Sequence, residues 1–304
     1  MSNFAFNNPA FQQQDPRNVA TYPGGPQAAQ AGQGAQAASF QHASIDAATN
    51  AQLEGMYAAP AAGAVETDRM TVEDTIWKTV GLFAILLVTA AVGWIWTATS
   101  FYNTGQANLL PWMVGALGGF VLAMVVTFTS RKKVRPALIF AYAAFEGLFV
   151  GAISAFFEII WPGIVMQATL ATLSVVGVTL ALFASGKIRA SKKMTKIVMI
   201  AMVGYLVFSV LNLILMWTGV LPQDQAFGLY SQPIMGIPLG LIIGVLVVFM
   251  AAYSLVLDFD QIQQGVRNGA PRQYGWLGGF GIMVTVVWLY VEILRIIAIV
   301  RGSD

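Results

Sequence analysis

Seven apolar runs of about twenty residues or more follow one another from residue 79 to the end of the chain. They cover 79–98, 109–129, 136–157, 163–185, 196–218, 235–264 and 275–300. As helix, each is long enough to cross a hydrocarbon layer ~30 Å thick. Lipid gives backbone N–H and C=O groups no hydrogen-bond partner, so a segment of this kind has to satisfy them within itself. Transmembrane strands would be about half as long and would alternate apolar with polar residues. Composition agrees, since only 10% of the residues are charged, against about 25% in soluble domains. The expected fold is an all-α membrane protein with seven transmembrane helices, occupying residues 71–304.

The first 70 residues differ in kind. AAQAGQGAQAASFQHASIDAATNAQ is rich in Ala, Gln, Gly and Ser and has no sustained apolar period. Such a segment cannot bury enough surface to offset its chain entropy, so 1–70 is expected to be a disordered tail. It lacks the basic start and apolar centre of a signal peptide.

Basic residues set the orientation. Arg131, Lys132, Lys133 and Arg135 lie between runs 2 and 3, and Lys187, Arg189, Lys192, Lys193 and Lys196 between runs 4 and 5. Arg267 and Arg272 lie between runs 6 and 7, and Arg69 and Lys78 precede or open run 1. The other three connections hold no Lys or Arg. Lys and Arg near span ends mark the cytoplasmic side. A seven-span chain thus has its N-terminus inside and its C-terminus outside, as a multi-pass protein of the cytoplasmic membrane. Trp94, Trp96, Trp112, Trp161, Trp217 and Trp276 stand near run ends, as interfacial anchors do. Gly147 and Gly151, and Gly236, Gly240 and Gly244, are spaced four apart, which lets helix backbones approach.

Several chemistries are excluded. There is no cysteine, so disulfides, thiolate metal sites and a Cys nucleophile are absent, and the single histidine, His42, lies in the tail. No basic face with interleaved aromatics supports nucleic-acid binding. No lysine stands at mid-span for a Schiff base, and no bound cofactor is expected. The chain does not read as an enzyme.

What remains is a short set of ionisable groups inside the runs: Glu146 in run 3, Asp258 and Asp260 late in run 6, and Glu292 and Arg295 in run 7. A charge at bilayer depth is costly unless paired or hydrated, which makes each a functional candidate. Asp260 has a plainer reading as the start of the loop. Arg295 can snorkel outward or pair with Glu292 three residues before it on the same face.

The segments around these acids resemble motifs of the transmembrane Bax inhibitor family. SLVLDFDQIQQGVRNG is similar to that family's sixth-span motif, WLYVEILRI to its seventh-span motif and AYAAFEGLFVGAI to its third-span motif. The resemblance covers about residues 75–300 and points to a bacterial branch with a long polar tail. It implies a bundle of six helices around a central seventh, and a pH-sensitive calcium leak. It implies that Asp258 and Glu292 form a proton-sharing gate that also meets calcium, with Arg131 interacting with the pair. Glu146, Asp260 and Arg295 are then candidates for the ion pathway or for partner roles. Glu292 stands where the family usually has aspartate, which lengthens one arm of the pair.

Physical chemistry supports such a gate in principle. Two adjacent carboxylates in low dielectric resist ionising together, so their protons leave in coupled steps. Calcium takes six to eight oxygens, which Glu146, Asp258, Glu292, carbonyls and water could supply transiently. Geometry raises an objection. A helix leaving the membrane near Ile262 puts Asp258 roughly 6 Å inside, whereas one entering near Gly278 puts Glu292 roughly 21 Å inside. Contact needs the sixth helix to continue well past Gln264, or the seventh to start late or break at Gly278, Gly279 and Gly281. Failing that, Glu146 is the better partner for Glu292.

Two functions follow. One is a proton-gated cation leak, for calcium above other ions. The alternative is a non-conducting protein that modulates other membrane proteins, such as a protease, through its tail and inner loops. The expected partners are the lipid bilayer, calcium ions and protons, together with such a protein in the second case.

Overall fold

A computed structural model describes residues 68–221 and 227–302. The tail expected over 1–70 lies almost wholly outside the described residues. Seven helices are long and apolar enough to span a membrane: α1 (Val72–Thr104), α2 (Leu110–Thr129), α3 (Pro136–Ile160), α4 (Ile164–Ala184), α5 (Lys192–Trp217), α6 (Leu239–Arg267) and α7 (Tyr274–Gly302). The protein is a multi-pass membrane protein, and all seven apolar runs became helices.

Helix boundaries follow local chemistry. Thr71 opens α1 by accepting a hydrogen bond from the Asp74 N–H at 3.0 Å, so the helix begins well before its apolar run. Ser191 caps α5 in the same way, accepting from the Met194 N–H at 3.2 Å. Run 6 starts later than its apolar character suggests. Pro233–Ile234 (β1) and Ile237–Pro238 (β2) form a short antiparallel hairpin around Met235 and Gly236. Both turn residues have positive φ, 55° and 82°, which suits a tight hairpin. Gly236 therefore serves the turn and not a helix contact, whereas Gly240 and Gly244 lie in α6 and face Ile299 and Ile296 of α7.

α7 is the most enclosed helix: half of its most apolar window is buried, against 17% for α1 and for α5. It packs chiefly on α6 and α1, then on α4 and α3, and α5 reaches it through Tyr205, beside Trp288. α2 packs chiefly on α3. The start of α7 continues without a break through Gly278, Gly279 and Gly281. Those glycines are buried, and the first two meet Ile262 of α6 and Thr75 and Thr79 of α1 at close range.

The basic segments gather at one end of the bundle. The Met70 N–H donates to the Ala270 carbonyl at 2.7 Å, which ties the chain before α1 to the α6–α7 turn. Arg189 of the α4–α5 loop reaches Gln263 Oε1 at 2.9 Å, and Val134 of the α2–α3 loop joins a core cluster with Leu277.

α3 is clamped between α1 and α2 by glycines. A Cβ on Gly151 would stand 1.8 Å from the Ala90 carbonyl oxygen, and one on Gly147 2.2 Å from that of Leu86. From α2, a Cβ on Gly115 would stand 2.5 Å from the Phe149 backbone nitrogen. No flexible side chain can yield at these points, because the obstacle is backbone. Gly151→Val is therefore expected to lower stability by about 1–3 kcal/mol or more, read as a fall in midpoint in thermal unfolding of the detergent-solubilised protein. Gly177→Ala, with nothing near its Cβ position, should leave the midpoint unchanged.

Candidate functional site

Asp258 sits about two and a half turns before the end of α6, where the long apolar part of the helix gives way to Asp260 and three glutamines, and is only 2% exposed. Its Oδ2 accepts a hydrogen bond from Thr285 Oγ1 of α7 at 2.6 Å. Among the described residues no ion pair reaches it. Ser254, Asp258 and Gln261 are spaced four and three apart, so one face of α6 carries a polar line through the apolar interior. Gln261 Oε1 on that line is buried with no hydrogen-bond partner.

Glu292 is 3% exposed and has its own set of partners. Tyr205 of α5 donates its hydroxyl to Oε2 at 3.0 Å, and Arg295 forms an ion pair with Oε1. The Arg295 guanidinium also lies 4.0 Å from the Tyr230 ring centroid, and the Tyr230 hydroxyl is 2.8 Å from Ser209 Oγ. A network from α5 and the hairpin approach thus holds the Glu292–Arg295 pair. Arg295 pairs on its own helix face, one of the two outcomes expected from its sequence position.

The two carboxylates do not form a pair. Thr285, the partner of Asp258, and Glu292 are seven residues apart on α7, roughly 10 Å along the axis. Glu292 Oε1 instead lies 3.4 Å from the Cβ position of Gly244. Gly244 is fourteen residues, roughly 21 Å of helix, from Asp258 on α6. α6 does continue past Gln264, to Arg267, but α7 neither starts late nor breaks, so the two antiparallel helices carry the acids at different depths. The shared proton between Asp258 and Glu292, and a calcium site with both as ligands, are therefore not assembled in this conformation. Among the described residues no group of three or more Asp, Glu, His or Cys could hold a metal ion.

The remaining candidates separate as well. Glu146 is half-buried; it bonds Tyr142 on its own helix and sits against Gly119 of α2, where a Cβ would lie 2.7 Å from Oε2. It faces α2 and is no partner of Glu292. Asp260 accepts from Gln264 Nε2 at 2.7 Å and is still within α6, so it is not the start of a loop. Arg131 is exposed in the α2–α3 connection and meets neither carboxylate.

The structure adds residues that the sequence reading did not single out. Thr285, Tyr205 and Tyr230 are polar-tipped residues in or beside apolar helices, and that was the one available signal. At the basic end, Asp74 binds both Lys78 and Arg272; Arg272 Nη2 lies 2.8 Å from Oδ1. Lys78 also donates to the Arg272 carbonyl at 2.7 Å. The hydrogen bond and charge of Asp74 hold the exposed Arg272 guanidinium above its ordinary pKa. This cluster fastens α1 to the α6–α7 turn.

A family model described as Bax inhibitor 1 like matches residues 8–302, nearly the whole chain. No curated protein matches the chain.

Removing one member of a buried ion pair leaves the other uncompensated. Arg295→Met is therefore expected to cost about 3–5 kcal/mol, and the double variant Glu292→Leu with Arg295→Met should recover most of that loss. Thermal or denaturant unfolding in detergent, run as a double-mutant cycle, measures both.

Proposed function

The chain belongs to the Bax inhibitor 1 like family, and from that premise we propose that it is a pH-sensitive cation leak of the cytoplasmic membrane, with calcium the main ion. The reading is carried by one observation: a carboxyl group, Asp258, is enclosed within apolar helices with a single hydroxyl, Thr285, as its hydrogen-bond partner. Such a group at bilayer depth is an unusual expense unless protons or cations use it.

Asp258 is the proton-sensing residue in this proposal, and it works with Thr285 and not with Glu292. Neutral, its carboxyl joins α6 to α7 through Thr285 and presents no charge. Ionised, it draws in water and a cation along the face of Ser254 and Gln261, whose unanswered carbonyl oxygen suits a hydrated path. The Glu292–Arg295 pair, with Tyr205 and Tyr230, forms the second element. It blocks the far half of the α6–α7 seam while closed and offers the cation a second carboxylate when Arg295 swings away. Carboxylates at separate depths, each with few oxygens, favour passage over storage, because calcium binds firmly only with six to eight ligands. The basic end of the bundle faces the cytoplasm in this scheme.

Calcium flux into proteoliposomes, measured from pH 5 to 8, tests the proposal. Wild type is expected to conduct more as pH rises, since ionised Asp258 attracts the cation. Asp258→Asn, which stays neutral, should be low and flat across the range. Glu292→Gln should keep a pH response but change its amplitude. An unaltered pH response in Asp258→Asn would remove the mechanism. Absence of flux from wild type at every pH would favour the non-conducting modulator instead.

A further inference from the structure

α5 stands away from α6 over much of its length, touching it at few points. Between them runs an apolar groove with a volume of about 680 Å³, within the ~300–1,000 Å³ of pockets that enclose a small molecule. Ile197, Tyr205 and Phe208 line one wall and Ile243, Phe249 and Tyr253 the other. Apolar surface is ordinary on a membrane helix, but a concave slot of this size between two helices is not. A flat lipid-facing surface would be covered by bulk lipid, whereas a slot has to be filled by something narrow and apolar.

The groove has one charged end. It finishes at Ile188 and Met194, inside the α4–α5 connection. That connection and the first turns of α5 carry Lys187, Lys192, Lys193 and Lys196, all exposed. None of the four forms an ion pair among the described residues. Lys193 precedes Ile197 by one helical turn, so it stands on the face that lines the groove. Arg189 is held beside them by Gln263 and by the Phe183 ring, 4.5 Å from its guanidinium. Tyr253 lines the groove and fixes this end by bonding both Ser191 and Thr195. An apolar slot that opens onto a cluster of unpaired lysines at the membrane surface matches one kind of molecule, with an apolar tail and an anionic head.

We infer that the α5–α6 groove is a binding site for an anionic membrane phospholipid, with an acyl chain lying between the helices and the phosphate head on Lys187, Lys192, Lys193 and Lys196. The site fills the gap that leaves α5 weakly attached, so the lipid also joins α5 to the bundle. Because α5 supplies Tyr205 to Glu292, an occupied groove holds that hydrogen bond in place. The inference does not depend on ion conduction, and its test reads lipid and not flux.

The test is native mass spectrometry of the full chain in detergent, titrated separately with phosphatidylglycerol and with phosphatidylcholine of identical acyl chains. Wild type should retain one phosphatidylglycerol about ten-fold or more better than phosphatidylcholine, as several lysines near one head group imply. Replacing the four lysines by Gln should bring the two lipids level. Gly204→Phe fills the groove from a position with nothing within 4 Å of its Cβ, and should abolish retention while the lysines remain. Gly204→Leu is a milder version, and monodispersity with an unchanged unfolding midpoint in lipid-free detergent shows that either variant is folded. A phosphatidylglycerol carrying a diazirine on its acyl chain should label Ile197, Tyr205 or Phe249. Equal retention of both lipids by wild type, retention untouched by either Gly204 variant, or label spread evenly around the bundle would overturn the site. A dimer that Gly204→Phe dissociates would overturn it too, since the occupant would then be a second copy of the chain.

Discussion

A polar group inside a hydrocarbon layer can be answered only by the protein itself, and this requirement organises the bundle. Backbone groups meet it by forming helices along all seven apolar runs. Several side chains that cannot avoid it meet it across helix contacts: Asp258 with Thr285, Glu292 with Tyr205, and Ser154 with Tyr290. Each of these bonds needs two helices at one depth and at close range. They therefore register the helices against each other more sharply than apolar packing could.

Close approach is supplied by small residues. α3 lies against α1 and α2 with backbone nearly touching backbone at Gly147, Gly151 and Gly115. α6 meets α7 at Gly240 and Gly244, and the second of these leaves the room that Glu292 occupies. The same device that packs the bundle thus makes space for a buried acid. α5 is the exception. It has few buried residues and no glycine seam with a neighbour, and it is joined to α7 by a tyrosine and an arginine network rather than by packing. Its apolar attachment to α6 is confined to a small cluster of Val198 and Met202 with Val247 and Met250.

The two buried acids have separate partners. Asp258 has one neutral hydrogen-bond partner, Thr285, and no ion pair among the described residues. Glu292 is tied to Arg295 of its own helix and to Tyr205 of α5. The acids lie on different helices and at different depths, so each can be altered without dismantling the other's contacts.

Much of this was legible in the residues. The apolar runs announced seven helices, since length and hydropathy suffice in a solvent that forbids other structures. The distribution of Lys and Arg indicated which connections share an end. Asp258, Glu292 and Arg295 stood out because charge is rare in such helices, and counting residues from each helix end already argued that Asp258 and Glu292 lie at different depths. Thr285, Tyr205 and the α5–α6 slot were not legible, because a threonine or tyrosine in an apolar helix carries no sign of whether it faces lipid or a neighbour. Glu146 turned toward α2 for the same reason. Sequence by itself determined which segments cross the membrane and which charges they carry across, as these are properties of one helix in lipid. Only the tertiary structure decided which partner each charge meets, because that depends on the rotation and depth of one helix relative to the next, and no single helix contains that information.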